Sequence, residues 1–286
     1  MKDIFDIIVN LQKTSPFNKL TLLDEKEIYD EPLVGVADGY DPLFRQYKQV
    51  IGDFYLTPEE IMVNEAVLRN MKFEKGKLSI VCWALPFKDH IKKANAARET
   101  IPSIKWSHSY ERGEKFNNLV RQTVADYYIN QNILSCAPAM SNLWQRIEHL
   151  PGGHTSNWSE RHALYAAGLG TFSINDGFIT DKGMAMRCGS VIVNTILPIS
   201  KRKYTDYRQN CLFVTKGLCG KCMERCPANA ITVNGHNKVQ CRAYRDKFLG
   251  EYLHDKVGLD IDPNNCGFCQ TGTPCESINP MKDKLK

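Results

Sequence analysis

The run CLFVTKGLCGKCMERCP at residues 211–227 and the run CGFCQTGTPC at residues 266–275, with Cys241 between them, hold eight of the eleven cysteines in this 286-residue chain. As spacings they read Cys211-x7-Cys219-x2-Cys222-x3-Cys226-Pro227 and Cys241-x24-Cys266-x2-Cys269-x5-Cys275, so each set supplies four thiolates. In a secreted miniprotein so many cysteines would mean disulfides; in a chain of this length they point to metal or redox chemistry. Met1-Lys2-Asp3-Ile4-Phe5-Asp6 places acids where a signal peptide needs a basic region, and no later segment has the apolar length of a membrane span. The expectation is a cytoplasmic protein with no membrane partner. The length allows one large domain and one small one, and 43% hydrophobic residues is ordinary for a globular chain. A net charge of +5, spread along the chain without a basic tract or an Arg-rich helix, permits nucleic acid without indicating it.

Four-thiolate sets suit either iron–sulfur clusters or zinc. Bacterial ferredoxin runs read C-x2-C-x2-C-x3-C-P, and the fourth cysteine of each run ligates the other cluster. Cys219, Cys222, Cys226 and Pro227 match the last three ligands and the proline, while Lys216 stands where the compact motif has its first cysteine. Cys211 is the substitute if Phe213 to Leu218 loops out. Crossing the fourth ligands puts Cys211, Cys219, Cys222 and Cys275 on one [4Fe-4S] cluster and Cys226, Cys241, Cys266 and Cys269 on the other. The spacing leaves open which cysteine closes which cluster. The C-x2-C pairs at Cys219/Cys222 and Cys266/Cys269 also suit tetrahedral zinc. Against zinc, the Cys226-Pro227 step followed by Ala228-Asn229-Ala230-Ile231 is how ferredoxin modules leave the ligand loop. Cluster potentials range from about −700 to +450 mV with hydrogen bonding and exposure, so the spacing does not set the direction of electron flow.

The chain before these cysteines reads as mixed α and β. Lys77 to Pro86 is an apolar run stopped by proline, a buried strand. Phe116, Leu119, Val120, Val124 and Tyr127/Tyr128 recur at helical spacing from Glu114 to Gln131. Ile133 to Cys136 and Arg187 to Leu197 are strand candidates. After the break at Pro151-Gly152-Gly153, Ser156 or Asn157 can cap a helix over Glu160 to Ala167 that Gly168 ends. The polar stretch Ser200-Lys201-Arg202-Lys203 marks a boundary, giving domains 1–203 and 204–286. It reads as a solvated linker, or as a patch that docks an acidic electron donor. Cys82 and Cys136 read as core, and the four tryptophans as packing. No Walker loop, Rossmann fingerprint, Ser-His-Asp signature or H-E-x-x-H motif is present.

The cysteine array, together with Glu160-Arg161 through Gly168-Leu169-Gly170, resembles epoxyqueuosine reductases and, more distantly, reductive dehalogenases, from about Trp106 to Pro280. The resemblance implies an α+β chain: a nitroreductase-like cobalamin-binding α/β domain followed by a ferredoxin-like domain with two [4Fe-4S] clusters. It implies an oxidoreductase holding base-off cobalamin, and a ferredoxin or flavodoxin as electron donor. FMN is the alternative occupant, since nitroreductase-like folds favour it. Carried over by position, Tyr110, Arg112, Gly168, Leu169, Gly170, Phe178 and Cys188 are the cofactor-binding residues, although free Cys188 also reads as a small buried hydrophobe. His154 stands where that family carries its proton-donating aspartate, with Tyr110 and Lys115 as helpers. Histidine can deliver a proton, since its ordinary pKa near 6.5 leaves a protonated fraction at neutral pH. His154 also reads as a solvated loop residue or an axial ligand. The chain runs only eleven residues past Cys275, short of the extension that many epoxyqueuosine reductases use around tRNA. A small molecule or modified nucleoside is therefore the expected substrate, and tRNA is permitted without being indicated. The other reading is an electron-transfer module or reductive activator of a corrinoid or flavin partner, with no substrate of its own.

Overall fold

Ser79–Pro86 (β2) is buried at all eight positions, as expected of a strand covered on both faces. The computed structural model describes residues 1–21, 23–249 and 266–282; most of the spacer between Cys241 and Cys266 lies outside them. β2 pairs antiparallel with Leu33–Asp38 (β1) on one side and with Met186–Val193 (β8, counting strands in chain order) on the other. Ser135–Cys136 (β3) extends the far edge, giving the order β1-β2-β8-β3.

Alternation along β2 divides the core in two. Val81, Trp83 and Leu85 face a layer that includes Ile4, Ile8, Trp106, Phe116, Val120 and Val124. Ile80, Cys82 and Ala84 face Phe44, Tyr47, Tyr55, Ile61, Trp158 and Leu164. The first layer is carried by Lys2–Thr14 (α1) and a 26-residue helix, Ile104–Ile129. The second is carried by Leu43–Ile51 (α2), Pro58–Arg69 (α3) and Glu160–Ala166. Counting Asp89–Ala96 as α4, the long helix is α5 and Glu160–Ala166 is α6.

α5 begins ten residues before the apolar periodicity does, with Ser103 Oγ accepting from Trp106 N at 3.1 Å as its cap. Its first turn buries Ser107, His108 and Ser109, polar side chains that give no amphipathic signal. α6 is not capped by Ser156 or Asn157. Ser156 pairs with Arg146 in a hairpin of Arg146–Ile147 (β4) and Thr155–Ser156 (β5). Asn157 is committed to the preceding loop, accepting from Gln145 N at 2.9 Å and donating to Leu143 O at 2.7 Å.

A second hairpin, Gly170–Phe172 (β6) with Phe178–Thr180 (β7), joins the cysteine-bearing segment to the rest. Its Ile174 and Ile179 pack with Met184, Ile231, Cys211 and Cys222 in a third apolar cluster. Beyond it come Leu212–Lys216 (α7), Lys221–Glu224 (α8), the hairpin of Ile231–Thr232 (β9) and Gly235–His236 (β10), and Lys238–Ala243 (α9). Among the described residues no helix is long and apolar enough to cross a membrane.

Candidate functional site: two groups of thiols and a buried chain of ion pairs

Cys211, Cys219, Cys222 and Cys275, drawn from both cysteine runs, line one cavity together with Ile174, Ile179, Phe213 and Pro280. The segment after Cys211 does not loop out but winds into α7, closed by Gly217 in the left-handed region. That turn leaves Lys216 exposed and Cys211 buried. Neutral hydroxyls approach two of these sulfurs: Ser173 Oγ lies 3.6 Å from Cys211 Sγ, and Thr273 Oγ1 3.5 Å from Cys275 Sγ. Burial, then the neighbouring thiolates of Cys275, Cys211 and Cys219, pushes the Cys222 thiol up to about 12. Burial likewise pushes Cys275 up to about 11.

The second group is Cys226, Cys241, Cys266 and Cys269. Burial, with Cys241 and Cys226 nearby, pushes Cys266 up to about 12; burial and repulsion from Cys266, Cys241, Cys222 and Cys226 hold Cys269 well above its ordinary value. Cys241 goes the other way, because a hydrogen bond from His236 and the charge of Arg245 outweigh its burial. His236 Nδ1 lies 3.3 Å from Asp176 Oδ2. Burial presses His236 down, but Asp176 and the Cys241 thiolate outweigh it and carry its pKa up to about 9. Among the described residues no three His, Cys, Asp or Glu side chains gather round a point as a single ion would require. Mutually repelling thiolates on the walls of a cavity are a donor set that a multinuclear cationic centre fits, since the ligands must lose their protons to bind.

A chain of ion pairs runs beneath β8 and α5. The Arg187 guanidinium stacks 3.6 Å over the Tyr110 ring, donates to the Tyr110 carbonyl at 2.8 Å and pairs with Glu114 at 3.1 Å. Glu114 accepts from Arg121 at 2.7 Å, Arg121 reaches Glu160 at 3.2 Å, and Glu160 accepts from Ser190 Oγ. Arg121 and Asn117 both donate to the Cys188 carbonyl, at 3.2 and 2.9 Å. Burial opposes the charge on Glu114, but Arg187 and Arg121 prevail and hold its carboxyl below the usual range. At Glu160 burial prevails over Arg121 and holds the carboxyl above it. Burial also pushes the Cys188 thiol up to about 12. Glu114, Arg121, Glu160 and Arg187 were not singled out as site residues from the sequence. Their separations of 7, 39 and 73 positions leave no local motif to find.

The remaining expected residues are dispersed. His154 follows the β4–β5 turn, where Gly153 lies so near α9 that a Cβ would meet Lys238 Cβ at 2.8 Å. Its Nδ1 is buried without a partner among the described residues. Burial, then Arg146, Arg245 and Arg242, holds its pKa below 6.5, which shrinks the protonated fraction expected at neutral pH. Lys115 is exposed and pairs with Glu111 at 2.7 Å. Arg112 ties α5 to the N-terminal segment, donating to the carbonyls of Lys19 and Pro16 at 2.6 Å each. Gly168 (φ 72°) abuts the backbone of Arg202, Leu169 packs on Gly35, and Gly170 abuts the Ile179 carbonyl. Phe178 is buried in the core. The space that these glycines open is filled by the chain itself. Of the residues assigned to a corrin, Tyr110 and Cys188 alone lie on the ion-pair chain, and the set does not form a seat for that cofactor.

No protein-family model matches the chain, and no curated protein does. Solved structures do. An epoxyqueuosine reductase from Bacillus subtilis is 16% identical with a TM-score of 0.45, over 98% of this chain and 70% of that one. An epoxyqueuosine reductase with an epoxyqueuosine-modified tRNA-Tyr stem loop gives the same values. A reductive dehalogenase, described with a mechanism for B12-dependent dehalogenation, is 16% identical with a TM-score of 0.42, over 58% of this chain and 23% of that one. The chain is similar in structure to these two kinds of reductase. At such identity the likeness is one of chain path, not of site residues.

Proposed function

We propose that this chain is an iron–sulfur reductase. Two [4Fe-4S] clusters, held by Cys211, Cys219, Cys222 and Cys275 and by Cys226, Cys241, Cys266 and Cys269, pass single electrons toward the start of β8, where Arg187 stacks on Tyr110. The observation that supports this most is the gathering of four cysteines from separate runs round one apolar-walled cavity. Each cluster would supply storage for one electron at a time.

The surroundings of the two groups favour one direction. Reduction adds negative charge, so nearby cations and hydrogen bonds to sulfur raise a cluster's potential. Cys241 has His236 and Arg245, both partly buried, beside it, whereas the sulfurs of the first group meet apolar walls and two neutral hydroxyls, and the lysines of its segments stand in solvent that screens them. Electrons therefore run from the first cluster to the second. The second is also the one beside His154, through Arg242 and Arg245. His154 is the proton donor that the resemblance assigns, and it stands beside that group and apart from Tyr110, whose orientation Arg187 fixes.

The resemblance implies cobalamin as the acceptor between cluster and substrate. Here its expected glycine turn, Phe178 and Arg112 are taken up by packing, and the Cys188 thiol packs on the face of β8 opposite the Arg187–Tyr110 stack, so the residues present do not fit a corrinoid at the expected positions. The substrate class implied is a modified nucleoside, free or in tRNA, or another small molecule.

Anaerobic purification followed by iron, sulfide and cofactor analysis tests the proposal. The expected result is about eight iron and eight labile sulfide per chain, with two interacting paramagnets on reduction. Zinc without sulfide overturns it. Titration with cob(II)alamin tests the corrinoid: a spectral change that saturates supports it, and an unchanged spectrum removes it.

A further inference from the structure

The net charge is less evenly spread than the absence of a basic tract suggests. Residues 201–225 carry seven Lys and Arg against two acids, an excess of five that equals the net charge of the whole chain. Residues 211–222 of this stretch supply walls of the first cysteine group, and Lys216 and Lys221 are the cations among them. Of the eight cysteines in the two groups, Cys219 alone is exposed. Lys216 and Lys221 are exposed on either side of it in the chain. Lys282, also exposed, is brought near by Met281, whose Sδ lies 3.5 Å from Thr215 Oγ1. Large apolar side chains on these same segments face solvent: Val214 is 40% exposed, Leu218 59% and Ile278 60%. Glu224 pairs with Lys221 at 2.7 Å, but both are half exposed or more, and such pairs are weak and easily exchanged.

Exposed apolar side chains and lysines on the segments beside the most exposed ligand of a redox group are the make-up of a transient docking face. The rim steers an oppositely charged partner, and the centre holds it briefly. Among the described residues the second group presents no such face. A Cβ on Gly267 would strike the Trp106 ring at 2.2 Å, and Asn95 donates to the Cys266 carbonyl at 3.3 Å, so those loops are covered by α4 and α5.

We propose that the surface around Cys219, with Lys216, Lys221 and Lys282 at its rim, receives electrons from an acidic one-electron carrier protein. The inference rests on the two-cluster reading. The carrier is oxidised by one electron, the cluster held by Cys211, Cys219, Cys222 and Cys275 is reduced by one, and no bond or proton moves. Cys219 provides the shortest route from the surface to that cluster.

The test uses the full chain carrying both clusters, with a reduced acidic ferredoxin as carrier and bleaching of the cluster absorbance followed by stopped flow. The triple variant K216E/K221E/K282E should lose about tenfold or more in second-order rate at low salt, and added salt should slow the unaltered chain toward the same value. Reduction by a small neutral reductant and the iron content should not change. The neutral variant K216Q/K221Q/K282Q should fall between the two, and it serves if the charge reversal impairs folding. The same reversal at Lys13, Lys48 and Lys75, away from the cysteines, should leave the rate nearly intact. Equal losses in the two reversed triples, or a carrier rate indifferent to all of these changes, would overturn the docking face. A chain that takes up no iron and sulfide would instead overturn the cluster reading beneath it.

Discussion

His162 lies between Tyr47 and Phe172, 4.7 Å from each ring centroid, with Nδ1 2.7 Å from Ser159 Oγ. Burial holds its pKa down at about 3 against an ordinary 6.5. The folded chain thus keeps the ring neutral where the unfolded chain takes up a proton. The stability this contributes is complete above pH 6.5 and is lost as the pH falls toward about 3, at up to ~1.4 kcal/mol per unit. His162→Gln should flatten that acid limb in urea unfolding followed against pH; an unchanged slope would assign the limb to other groups. Arg121, buried in the ion-pair chain, is paired with both Glu114 and Glu160. Arg121→Met leaves two carboxylates short of their partner and should cost about 3–5 kcal/mol. Urea unfolding at neutral pH measures this, and a loss below about 1 kcal/mol would mean that water or Arg187 replaces the pair.

The Gly-Leu-Gly turn shows how one element can satisfy two readings from sequence and only one from structure. A glycine pair after a helix either opens room for a flat cofactor or ends the helix. Gly168 ends α6 at φ 72°, and a Cβ there would meet Arg202 Cα at 2.8 Å. Gly168→Ala should therefore destabilise the chain by more than about 1 kcal/mol through strain and backbone displacement. Thermal unfolding without any added cofactor should show the whole effect. A wild-type melting temperature in the variant would return the turn to the cofactor reading. α5 is a similar case. Its apolar spacing marks the half that packs on β8, while its first turns, buried under the loop at Gly267, are invisible to periodicity because their cover comes from residues more than 150 positions away.

Across the molecule, the crossed arrangement of the two cysteine runs makes a prediction that independent modules do not. Cys211→Ser and Cys275→Ser should each abolish the same cluster, although the residues stand 64 positions apart. Cys226→Ser and Cys269→Ser should abolish the other. Iron should fall from about eight to about four per chain in each case, and electron paramagnetic resonance should show which signal remains. Loss of a different cluster from Cys211→Ser and Cys275→Ser would refute the crossing.

The strands β2 and β8 and the helical half of α5 were legible in the chain alone, because a continuous apolar run and helical spacing are local signals, and cysteine spacing is the local signal behind the proposed two sets of thiols. The cap of α6 was misread because Ser156 and Asn157 bond backward into a hairpin and loop that no local pattern announces. The ion pairs that tie Arg187 and Glu160 to α5 and the Asp176 carboxylate behind His236 could come only from folding. Each joins side chains from distant parts of the sequence, and charge, unlike hydrophobic periodicity, leaves no mark in the chain of the partner it will meet.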